Sequence, residues 1–66
     1  MTTREVVERL PGNIRDVIEL LRKDYKNPAL DKDVIRAHIY GYTRGLRDAG
    51  AITERERQIL FVYGTV

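Results

Sequence analysis

Three breaks constrain this chain more than anything else in it: Pro11-Gly12, Asn27-Pro28 and Gly50. Proline lacks a backbone donor and glycine tolerates a left-handed turn, so regular structure stops at each. Four stretches remain, and apolar residues recur at helical spacing in all but the last. In the first, Thr2 and Glu5 have capping-box spacing, followed by Val6, Val7 and Leu10. The second opens at Asn13, read as the N-cap, and carries Ile14, Val17, Ile18, Leu21 and Tyr25 on one face, which Leu20 widens. An arc that wide predicts contact with two other elements. The third is the longest. Asp31 serves better as its N-cap than inside its apolar stripe, which runs Ile35, Ile39, Tyr42, Leu46, Ala49. Gly50 suits its C-terminal end. The fourth starts at Thr53 with a second capping box to Glu56 and ends in the unbroken block Ile59, Leu60, Phe61, Val62, Tyr63. A helix through about Tyr63 is expected, although a block of this kind also suits a short strand.

The expected fold is therefore all-α. A compact bundle of three main helices and a short N-terminal one forms a single small domain over residues 1–66. The second and third helices form an antiparallel hairpin, because the loop between them is short. A chain of 66 residues buries little surface, and here neither a disulfide nor a Cys/His zinc site can help, since there is no cysteine and one histidine. Good helix packing or association with a second copy must do the work. The Ile59–Tyr63 block has no polar face of its own. Gly41 and Gly45, four apart inside a helix, leave a smooth groove. Either a neighbouring helix or a second chain would fill it, or the pair marks a bend. Together these features predict a homodimer.

Chemistry has few handles. There is no serine or cysteine nucleophile and no glycine-rich phosphate loop, so no enzyme activity and no cofactor are expected. His38 stands alone and reads as a partly buried, hydrogen-bonded residue rather than a metal ligand. Acid pairs such as Asp31/Asp33 and Glu54/Glu56 fall where helix starts favour them. The first ten residues are charged where a signal peptide would be apolar, and no run could span a membrane. A cytoplasmic protein is expected.

The net charge of +2 spreads over alternating signs, which describes a solvated surface better than a basic arm. One face stands out. Arg36, Tyr40, Arg44 and Arg47 follow one another along the third helix, opposite the apolar stripe. Arginine interleaved with an aromatic can dock an acidic protein or grip phosphates, or it can simply be solvated. The corner at Gly50–Thr53 has the tight turn of a DNA-reading helix-turn-helix. The helix after it opens with Glu54 and Glu56, which would repel phosphates, so a structural corner is favoured.

The stretch "GYTRGLRDAGAITERERQILFVY", through Gly45-Leu46, Ala49-Gly50, Ile52-Thr53 and Tyr63, resembles the C-terminal part of short uncharacterised proteins of Gram-positive bacteria and their phages or mobile elements. It covers about a third of the chain. The resemblance implies an accessory or regulatory protein and carries over no functional residue. The expected function is a non-catalytic protein-interaction module (adaptor, inhibitor or accessory regulator). The alternative is a small nucleic-acid-binding regulator that uses the same basic face.

Overall fold

The computed structural model describes all residues, 1–66, as four helices and no strand: α1 (Thr3–Arg9), α2 (Gly12–Lys26), α3 (Lys32–Asp48) and α4 (Glu54–Gly64). The Cα radius of gyration is 11.1 Å, against ~11 Å expected for a compact chain of this length. The expected bundle and its hairpin are present. α2 packs on both α3 and α4, as expected, although Leu20, the residue that widens its arc, takes no part, and α4 packs on all three other helices.

The helix ends follow local chemistry. Thr2 and Thr53 each accept a bond from the backbone N–H three residues on, at Glu5 and Glu56, whose side chains return the bond. Asp31 caps α3 by accepting from Asp33 and Val34. Beyond α3, Gly50 takes φ +78°, and the Gly50 and Ala51 N–H groups donate to Arg47 and Leu46. This closes the helix with its last carbonyls satisfied and drops Ile52 into the core.

The start of α2 differs from the sequence reading. Pro11, not Asn13, is the N-cap, and Asn13 lies inside the helix with no side-chain cap bond there. The Pro11 carbonyl accepts from both Ile14 and Arg15. Proline's fixed φ already aims the chain into a helix, so no side-chain cap is required.

The core joins α1, α2, α4 and the corner before α4: Val6, Val7, Leu10, Ile18, Ile52 and Leu60, flanked by Ile14, Tyr42, Leu46, Ile59 and Tyr63. Ile35, Ile39 and Thr43 are buried along α3. The tail block is helical to Gly64, and the chain covers most of it. Leu60 is fully buried, Ile59, Phe61 and Tyr63 are half-buried, and Val62 alone lies open. All three other helices share in this: Tyr40 of α3 meets Phe61, Arg22 and Glu19 of α2 hold Tyr63, and α1 lays its short apolar face on α4.

Three residues assigned to apolar faces stand in solvent instead. Leu20 is 57% exposed, and Ala49 and His38 are also exposed, the imidazole making no hydrogen bond. α4 packs against one side of the α2–α3 hairpin only. All three residues lie away from it, so their side has no helix to bury them.

Candidate interaction faces

The arginine face of α3 is built, and its charge is largely used within the chain. Arg36 bonds Asp33 and the Tyr25 hydroxyl at 2.9 and 2.8 Å. The Tyr25 bond, ahead of the Asp33 charge, raises the Arg36 pKa. Arg44 lies 3.9 Å from Asp48. Arg47 bonds both Asp48 and Glu54. Tyr40 meets the ring of Phe61 edge-on, centroids 6.1 Å apart, with the Arg57 guanidinium 5.4 Å above its own ring. Three arginines thus face three carboxylates, and the aromatic between them is partly covered by α4. Little of the field a phosphate backbone would need remains.

The same network ties α3 to α4. Glu54 accepts from Arg57, Arg47 and Gln58, in that order of effect, and its carboxyl is held far below the usual carboxylate range. Arg47 and Arg57 are raised in turn, each chiefly by Glu54. At the other end of α4, the Tyr63 hydroxyl donates to Glu19, and that bond pushes its pKa up. Arg22 lies 4.3 Å above the Tyr63 ring and donates to the Tyr63 carbonyl at 3.0 Å. Tyr25, Glu54 and Arg57 are therefore partners of the basic face that spacing along α3 alone does not show. They lie on other helices.

The glycine pair sits elsewhere. A Cβ built on Gly41 or Gly45 meets no atom within 4 Å. No helix of this chain presses there. The close approach belongs to Gly64, where a Cβ would stand 3.2 Å from two carbons of Ile39. Gly41 and Gly45 lie in a row of small residues at every fourth position, Ala37, Gly41, Gly45, Ala49, all exposed. Beside the row lie Val34, 49% exposed, and His38. Across on α2 is Leu20, ~160° around that helix from Arg22, which faces α4. The α3 half of the hairpin's outer side is thus smooth and free of charge at its centre, whereas on α2 the charged residues Asp16, Lys23 and Asp24 surround Leu20. Charged residues make up 33% of the chain, and those of α3 gather on its other faces and at its ends.

No three carboxylate or imidazole side chains converge on one point, and no helix is long and apolar enough to cross a membrane. No protein-family model, no characterised protein and no solved structure matches the chain.

Proposed function

We propose that the protein is a non-catalytic interaction module that self-associates through the outer side of its helical hairpin. The observation carrying this is the open row on α3. Two glycines inside a helix cost up to ~1 kcal/mol each relative to alanine. Within the chain they gain nothing, since no atom approaches either position. A second backbone at close range would use both.

The row also matches itself. Ala37, Gly41, Gly45 and Ala49 are symmetric about Thr43, so two copies of α3 crossed at that level put alanine on alanine and glycine on glycine. An antiparallel arrangement opposes the helix dipoles. Val34 and Leu20 add apolar area on either side. Two helices ~10 Å apart and ~25 Å long present a footprint of roughly 500 Å², or about 1,000 Å² of flat area for two copies, at the threshold for a specific interface.

The basic face supports this reading better than the nucleic-acid one, because its arginines already hold carboxylates. Light scattering after gel filtration tests the proposal. The wild type should run at twice its 7.7 kDa mass at micromolar concentration. Gly45→Leu, which has open space around it, should keep its helix content and run as a monomer. A monomeric wild type, or a Gly45→Leu dimer, would reject it.

A further inference from the structure

A second surface lies on the far side of the molecule from the α3 row, where α1 crosses α4. α1 is seven residues long and leaves one flank of α4 uncovered. Two shallow grooves run there, one on each side of Thr3. The first, about 290 Å³, is lined by Thr3, Arg55, Gln58, Ile59 and Val62. The second, about 400 Å³, is lined by Thr3, Arg4, Val7, Glu8 and Tyr63, with Arg4 and Glu8 paired to each other at 3.0 Å. Val62 is 58% exposed on this floor.

The charge in the first groove is unbalanced. Arg55 makes no hydrogen bond or ion pair within the chain, unlike Arg4, Arg9 and Arg57 around it. Every carboxylate within a turn of it on α4 is engaged elsewhere. Glu54 is held by Arg47, Arg57 and Gln58, and Glu56 by Arg9. The Gln58 amide donates to Glu54, which leaves its oxygen free to accept. A guest therefore meets a planar guanidinium with unfilled donors at the edge of an aliphatic floor.

We propose that this groove docks an acidic amphipathic helix of another protein. A carboxylate of the guest pairs with Arg55, and aliphatic side chains one turn apart straddle Thr3, one on Ile59 and Val62, the other toward Val7 and Tyr63. A helix fits better than an extended peptide. The fold offers no strand edge, so an extended guest would leave its backbone groups unpaired over the apolar floor, whereas a helix bonds its own. The proposal is independent of self-association through α3.

A 15-residue helical peptide of leucine, alanine and glutamate, carrying a fluorophore, tests it against the full chain, alongside a version with lysine for glutamate. Anisotropy should show binding of the glutamate peptide alone. Backbone NMR shifts should cluster at Thr3, Arg55, Gln58, Ile59 and Val62. Arg55→Glu should weaken the glutamate peptide at least tenfold and admit the lysine peptide. Val62→Asp, at an exposed site, should abolish binding with the circular dichroism unchanged. Absence of binding, equal binding of both peptides to the wild type, an unaffected Arg55→Glu variant, or shifts confined to the α3 row would each overturn the proposal.

Discussion

The five glycines of this chain look alike in sequence and do different work in space. Gly50 supplies a left-handed turn, and Gly64 lets α4 lie against Ile39. Spacing singles out Gly41 and Gly45, because four-residue repeats are visible along a helix. It misses Gly64, whose partner lies twenty-five residues away on another element. Whether a glycine meets anything depends on where its helix is placed, and local pattern does not carry that. The extent of the α3 row was nonetheless legible: Ala37 and Ala49 continue the glycine spacing in both directions. Assigning Ala49 to the core stripe hid this, since an alanine fits either face. Gly64→Ala tests the close approach. Its Cβ would press on a fully buried isoleucine, and overpacking of this kind costs about 1–3 kcal/mol. Chemical denaturation should show a lower midpoint with an unchanged slope. The loss is net of the up to ~1 kcal/mol that alanine gains over glycine within a helix, so a midpoint above the wild type would mean that α4 does not press this closely on Ile39.

At the level of elements, the sequence spoke most clearly through its caps. Thr2, Asp31 and Thr53 each mark a helix start because an N-cap needs only a short acceptor side chain and its next three residues. Asn13 misled because asparagine satisfies the same rule, yet Pro11 acts earlier and through the backbone. The coupling of α3 to α4 was less visible. Glu54 reads as a first-turn acid that complements the helix dipole, and the two arginines that grip it, Arg47 and Arg57, come from both sides of the corner. That grip makes a pH prediction. The folded Glu54 carboxyl titrates below its usual 4.5, so its stabilising contribution is complete above that value and is lost as the pH falls through and below it. The wild type should melt above Glu54→Gln at pH 7. The gap should hold down to about pH 5.5 and narrow steadily in more acid solution. A gap that stays constant from pH 7 to pH 3 would show that the ion-pair network does not form.

For the molecule as a whole, the sequence poses a problem of coverage: more apolar surface than so short a chain is expected to hide. The fold resolves half of it internally. α1 folds onto α4, and only Val62 of the tail block stays open. Besides the α4 flank at Val62, what remains exposed is the outer side of the hairpin, where no helix covers the α3 row. Helical periodicity shows which residues share a face, but it does not show how many faces neighbouring helices will take. For this reason the tail block was expected to seek a second chain, and the α3 row is where the structure leaves room for one. The absence of cysteine permits a direct test. Ala37→Cys and Ala49→Cys are prepared separately and oxidised alone and as a mixture. If two copies cross antiparallel at Thr43, the mixture forms a disulfide-linked dimer that neither protein forms alone. Its two partners then meet at one level, whereas identical cysteines stand ~18 Å apart along the helices. Cross-linking of each variant with itself, or of neither in the mixture, would contradict the account.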